Sequence, residues 1–143
     1  TTLKVIGKSL EGRDILAIKI SDNASKKEVG EPVILFNSMH HAREVMTPEV
    51  AIDIIDYLTQ KYNADDKVTS WVDRNEIWVV PMFNVDGNQK VWDEDSMWRK
   101  NTRGGYGVDI NRNYPSTWNT CNGSSSRQGA QDYRGPEAAS EPE

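Results

Sequence analysis

The sequence predicts an α/β fold in which part of a mixed parallel and antiparallel sheet is flanked by helices. Three observations carry that prediction. Two short alternating runs are separated by a glycine-containing turn, two continuous apolar runs have the length of buried strands, and an amphipathic helix lies between those two runs.

The first pair is residues 3–6 and 14–20 (DILAIKI), with Gly12 free to take positive φ between them, which reads as a β-hairpin. Residues 21–32 (SDNASKKEVGEP) are polar and turn-rich, hence a loop. Residues 33–36 (VILF), bounded by Pro32 and Asn37, suit a strand covered on both faces. Thr47-Pro48-Glu49 then reads as a helix start, with a hydroxyl at the N-cap, proline at the first helical position and an acid in the first turn. Val50, Ala51, Ile54, Ile55 and Leu58 form one apolar stripe that runs to about Tyr62. Residues 77–82 (IWVVPM) are the second buried strand, so strand, helix and strand compose a βαβ unit with its two strands parallel. Beyond Asn84-Val85-Asp86-Gly87, residues 88–143 show neither a buried-strand run nor an amphipathic stripe, and no internal repeat. Residues 1–143 are read as a portion of a single domain.

Composition narrows the function classes. The net charge of -5 argues against nucleic acid as the partner, because a phosphate backbone calls for clustered Lys and Arg. No apolar run approaches the roughly 20 residues that span a bilayer, and no basic-plus-apolar leader stands at Thr1. Cys121 is the lone cysteine, so it has no partner for an intrachain disulfide.

The chemistry concentrates in two places. "MHHAREV" (residues 39–45) holds both histidines of the chain, His40 and His41, with Glu44 three residues beyond the second. A histidine nitrogen and a carboxylate oxygen at that spacing can reach one zinc ion from a single turn of backbone. The motif follows residues 33–36, and Asn84, Asp86 and Gly87 follow the second buried run. In such sheets ligands bind outside the carboxyl ends of the strands, so both clusters fall where a site belongs. On spacing alone the histidines read equally well as surface or capping residues. The second place is "WRKNTRGGYGVDINRNYP" (residues 98–115), dense in arginine at Arg99, Arg103 and Arg112. A guanidinium fork matches both oxygens of a carboxylate, and Asn111 beside Arg112 adds amide donors. Arg99 and Lys100 read instead as partners of Asp93, Glu94 and Asp95. The five tryptophans read as core filling, and residues 124–126 (SSS) lack a third histidine to serve as base.

Taken in order, these motifs resemble the zinc metallocarboxypeptidases of the funnelin type, the carboxypeptidase A/B group and its bacterial relatives. The resemblance runs through Ile6-Gly7-Lys8-Ser9, Glu11-Gly12-Arg13, residues 38–44, PMFNVDG (residues 81–87), Trp98-Arg99-Lys100-Asn101, VDINRNY (residues 108–114) and Tyr133-Arg134-Gly135-Pro136, ending in SEPE. It implies zinc ligands at His41 and Glu44, with His40 outside the coordination sphere. It implies a clamp for the substrate's terminal carboxylate at Asn111 and Arg112, and a more remote subsite at Arg43. The carbonyl-polarising arginine falls on Arg103 through one inserted residue, with Arg99 as the alternative. The family's third zinc ligand and general base lie further on, so the resemblance implies the amino-terminal half of a catalytic domain, inactive by itself. The expected cofactor is Zn2+, the partner a peptide or protein C-terminus, and the setting extracellular or periplasmic. A superfamily deacylase and a non-catalytic scaffold are the competing readings. Three further expectations attach to the chain. Cys121 is a free thiol or an intermolecular disulfide, zinc is held weakly, and the open sheet edge promotes self-association.

Overall fold

The computed structural model describes residues 1–120 and 122–143, so the expectation for Cys121 lies outside the described residues. The strands are β1 (Thr2–Lys8), β2 (Asp14–Ile20), β3 (Val33–Asn37) and β4 (Glu76–Val80), in sheet order β1-β2-β4-β3. β2 is antiparallel to β4, and β3 is parallel to β4 with Ile34 opposite Ile77 and Phe36 opposite Val79. The sheet is therefore mixed, and β3 and β4 form the parallel pair of a βαβ unit. The chain divides into two compact units.

The first unit comprises Thr1–Ile6, Leu16–Ser38 and Met46–Met82. Between β3 and β4 lie two helices, α1 (Thr47–Lys61) and α2 (Asp66–Val72). Ala51 and Leu58 of α1 and Val68 and Val72 of α2 close over Ile20, Ile77 and Val79 of the sheet, with Ile54, Ile55 and Tyr62 packed alongside. Val50, the first residue of the expected stripe, is 59% exposed. The N-cap falls on Met46, not Thr47, and makes no side-chain cap bond; Pro48 supplies the pre-set φ at the helix start. The sequence reading passed over α2, which has seven residues. Asp65 starts it by accepting from the Lys67 and Val68 N–H groups at 2.9 and 3.1 Å.

β3 departs from expectation. Val33, Ile34, Leu35, Phe36 and Asn37 are all exposed: β3 ends the sheet order, and a cavity separates Ile34 and Phe36 from Ile54, Tyr57 and Trp71 of the helices. An apolar run of this length marks a strand but does not say which neighbours cover it. β4, paired on both sides, is buried as expected.

The second unit comprises Gly7–Ile15, Met39–Val45 and Phe83–Glu143. Its regular element is α3 (Val85–Asp93), where the sequence reading had seen no helix. Asn84 caps α3 by accepting from the Gly87 N–H at 2.9 Å. Asp86, fully buried, accepts from Ser9 Oγ at 2.7 Å, the Glu11 N–H at 2.9 Å and Arg13 Nη1 at 2.6 Å. The hairpin tip is thereby pinned to the start of α3. The remaining residues run through two 3₁₀ turns, Arg103–Gly105 and Ile110–Arg112, held by side chain to backbone bonds. Buried Lys100 donates to the Gln128 and Ala130 carbonyls, each at 2.9 Å, and Asn113 Nδ2 donates to those of Arg134 and Glu137 at 2.8 and 2.9 Å. Burial pushes the Lys100 ammonium below its ordinary value.

Candidate metal centre and carboxylate-binding loop

The His-x-x-Glu segment is a turn, closed by the Glu44 N–H donating to the His41 carbonyl at 3.0 Å. That turn brings His41 Nδ1 to 2.9 Å from Glu44 Oε1. On the other side of the ring, Nε2 lies 3.2 Å from Oδ1 of Asp109, a residue fully excluded from solvent. The same carboxylate accepts from Arg99 Nε and Nη2 at 3.2 and 2.9 Å and from the Asn111 N–H at 3.0 Å. Every other partner of Asp109 is an N–H donor, so its oxygens act as acceptors and the Nε2 bond is made by an N–H of the imidazole. Nδ1 then presents a lone pair to a carboxylate oxygen. Two lone-pair atoms that close are stable only with a proton or a cation between them.

The donor set fits zinc: one imidazole nitrogen and one carboxylate oxygen, with the second ring nitrogen committed to a buried carboxylate that fixes tautomer and orientation. Two ligands of one tetrahedral zinc stand roughly 3.3 Å apart, given bonds of about 2.0–2.1 Å, so a small relaxation from 2.9 Å suffices. Asp109 and Arg99 are the participants that sequence reasoning missed or misplaced. Asp109 lies in the VDINRNY segment, where the sequence assigns it no role. Arg99 pairs with it and not with Asp93, Glu94 or Asp95. A metal-ligating histidine needs an outer partner for its second nitrogen, and that requirement was the available signal.

His40 faces elsewhere. Its ring stacks on Phe83 at a centroid distance of 5.0 Å, and Nε2 lies 2.6 Å from the Tyr114 hydroxyl. Burial holds its pKa below the ordinary imidazole value, and His41 pushes the same way.

Asn111 and Arg112 line a cavity of about 490 Å³ with Tyr114, residues 116–120, Gly123 and Ser124. Arg112 donates from Nε to the Gly123 carbonyl at 2.9 Å and from Nη1 to the Asn111 carbonyl at 3.0 Å. It makes no ion pair among the described residues, and two of its five N–H donors are used in these bonds. His41 and Glu44 do not line this cavity, while Asp109 Oδ1 bonds both His41 Nε2 and the Asn111 N–H.

Arg103 is engaged in a different task. Its Nε lies 2.6 and 2.8 Å from the two oxygens of buried Glu141, and Nη2 donates to the Ser140 carbonyl at 2.6 Å. Asn101 Nδ2 adds a bond to Glu141 at 2.6 Å. Arg103 thus anchors the SEPE stretch. Arg43 donates from Nη1 to the Met97 carbonyl at 3.2 Å.

A family model described as zinc carboxypeptidase matches residues 1–143. A zinc carboxypeptidase of Saccharothrix mutabilis subsp. capreolus is 39% identical over 124 residues, covering 83% of this chain and 28% of that protein. Metallocarboxypeptidase A of Trichophyton tonsurans is 39% identical over 134 residues, covering 90% of this chain and 31% of that protein. Among solved structures, carboxypeptidase A from Helicoverpa armigera superposes with a TM-score of 0.85 at 32% identity, covering 99% of this chain and 34% of that one. Thrombin activatable fibrinolysis inhibitor also gives a TM-score of 0.85, at 28% identity, over 99% of this chain and 36% of that one. The chain spans about a third of the length of these relatives.

Proposed function

Because this chain belongs to the zinc carboxypeptidase family, we propose that it supplies the amino-terminal part of a hydrolase that removes the last residue of a peptide or protein. The observation that carries the reading is the approach of His41 Nδ1 to Glu44 Oε1 at 2.9 Å, with Nε2 directed at buried Asp109. His41 and Glu44 hold Zn2+ in this reading. Bound there, zinc supplies a Lewis acid for the scissile carbonyl and acidifies a water.

Asn111 and Arg112 receive the substrate's terminal carboxylate. The guanidinium of Arg112, which lines a cavity and has no ion-pair partner among the described residues, supports this, since a planar fork binds a carboxylate through two parallel bonds. Cleavage is then confined to chain ends, because only a terminal residue presents a free carboxylate. Arg43 lines a more remote subsite.

For the arginine that stabilises charge on the scissile carbonyl, the geometry favours Arg99 over Arg103. Arg99 shares Asp109 with His41, whereas the Arg103 guanidinium is taken up by Glu141 and the Ser140 carbonyl. Such a preorganised donor is typically worth a few kcal/mol in the transition state.

Two donors hold a metal weakly, and the chain has no third histidine, so the 143-residue chain alone binds zinc weakly and does not turn over. An extracellular or periplasmic setting belongs to the reading through family resemblance. The test pairs calorimetric zinc titration of this chain with hydrolysis assays on the product of a gene that encodes this sequence within a full-length family member. Free-acid peptides ending in Phe, Arg and Glu should be cleaved and their C-terminal amides spared. Equal cleavage of the amides, or turnover of acylated amino acids alone, refutes it.

A further inference from the structure

We infer that Asn84 is a positioning residue for the metal-binding histidine, acting through the backbone carbonyl of His40; the inference rests on the reading that His41 and Glu44 hold the ion. Asn84 is fully buried, and besides its carbonyl's bond within α3 it makes three others. Its backbone N–H donates to the Met39 carbonyl at 3.1 Å, its Nδ2–H donates to the His40 carbonyl at 3.1 Å, and its Oδ1 accepts the Gly87 N–H at 2.9 Å. On the far side of His41, the Ala42 N–H donates to the Arg99 carbonyl at 2.9 Å. His41 is therefore bracketed. The carbonyl before it and the N–H after it are tied to two different segments, and its ring is tied to Asp109.

The backbone entering this bracket is not relaxed. Met39 is buried with φ at 57°, a left-handed conformation that a residue with a Cβ keeps only where its surroundings impose it. The two Asn84 donations, to the Met39 and His40 carbonyls, are bonds that impose it.

The identity of residue 84 separates two roles. As a helix cap, Asn uses only Oδ1, and Asp or Ser caps equally well. Donation to the His40 carbonyl needs the amide N–H₂, which neither Ser nor ionised Asp offers in that place, and Gln is a methylene too long for the same cap. Capping leaves the choice among the three open, and positioning selects Asn.

The test uses Asn84→Ser and Asn84→Asp, which keep the capping oxygen and remove the amide donor, beside Asn84→Ala, which removes both. Three quantities are read: the unfolding midpoint, the affinity for Co2+ used as a spectroscopic zinc probe, and the ¹⁵N imidazole resonances of His41 in the metal-free chain. Loss of an outer-shell partner typically weakens a metal site 10–100-fold. The expected result is a fall of at least about tenfold in Co2+ affinity for Ser and Asp. Mixed-tautomer or broadened His41 resonances should accompany it, with the midpoint close to wild type. Wild-type affinity and resonances in both variants overturn the inference. So does unfolding of both, since Asn84 would then be holding the fold and not the histidine. Should His41→Ala bind Co2+ as well as wild type, the metal reading fails. The metal-free resonances still decide the Asn84 role in that case.

Discussion

Replacing Asp109 by Asn tests the logic of the metal centre most directly, because the change is nearly isosteric and the carboxylate is fully buried. Asp109 accepts from four N–H groups, one on His41, two on Arg99 and one on the backbone of Asn111. An amide has one accepting oxygen, so two orientations compete. With the oxygen toward His41 and Asn111, the NH₂ faces the Arg99 donors, whose side chain is only 16% exposed. Breaking a buried pair in this way costs about 3–5 kcal/mol, a large share of a typical domain's 5–15 kcal/mol. With the oxygen toward Arg99, the NH₂ faces His41 Nε2 and drives the imidazole to the tautomer that carries its proton on Nδ1. That proton occupies the atom assigned to zinc, and affinity falls about 10–100-fold, or about 1.4–2.8 kcal/mol. Urea denaturation and a zinc competition titration on the same samples separate the outcomes. The variant must lose at least one of the two quantities. Stability within about 1 kcal/mol and affinity within twofold of wild type would refute the assignment of Asp109 as the partner that orients His41.

Three other predictions follow from single features. Val33 and Leu35 share one face of β3 and are 61% and 58% exposed, so concentrated wild type should form dimers in size-exclusion light scattering and Leu35→Lys should restore the monomer; a monomeric wild type at every concentration contradicts this. Burial, then Glu28 and Asp22, hold the Glu31 carboxyl above its ordinary value, so folding binds a proton there. Its stability contribution is present below the unfolded pKa and lost as pH rises through the folded one, and Glu31→Gln should flatten that slope in urea melts taken at rising pH from the ordinary carboxylate range upward. At Gly87 an added Cβ would stand 2.5 Å from both Asn84 Oδ1 and the Lys100 carbonyl, so Gly87→Ala should lower stability by about 2 kcal/mol or more in chemical denaturation, and a neutral result would show that this contact yields easily.

Local pattern was enough for much of the frame. Alternation and apolar runs place all four strands within two residues of their observed ends, and the proline and stripe place α1, because each signal is set by neighbours within one or two turns. Helix α3 escaped because NVDG reads equally as a turn, and its cap is recognisable only once the Asn84 oxygen is seen on the Gly87 N–H. The exposure of β3 escaped because an apolar strand does not name its neighbours.

At the candidate site the sequence by itself offered the pair His41 and Glu44. A histidine and a glutamate three apart are brought together by one turn of backbone, so their approach is a local matter, although spacing alone left the histidines open to a surface role and the family resemblance was needed to single out His41. It also placed Asn111 and Arg112 side by side for the same reason. Tertiary structure decided everything that joins distant segments. Asp109, 68 residues beyond His41, became its orienting partner. Arg103 was drawn to Glu141 while Arg99 joined Asp109, a division that the motif's inserted residue left open. Asn84 reached the His40 carbonyl across 44 residues. A hydrogen bond acts over about 3 Å, and only the folded chain brings residues so far apart in sequence within that range.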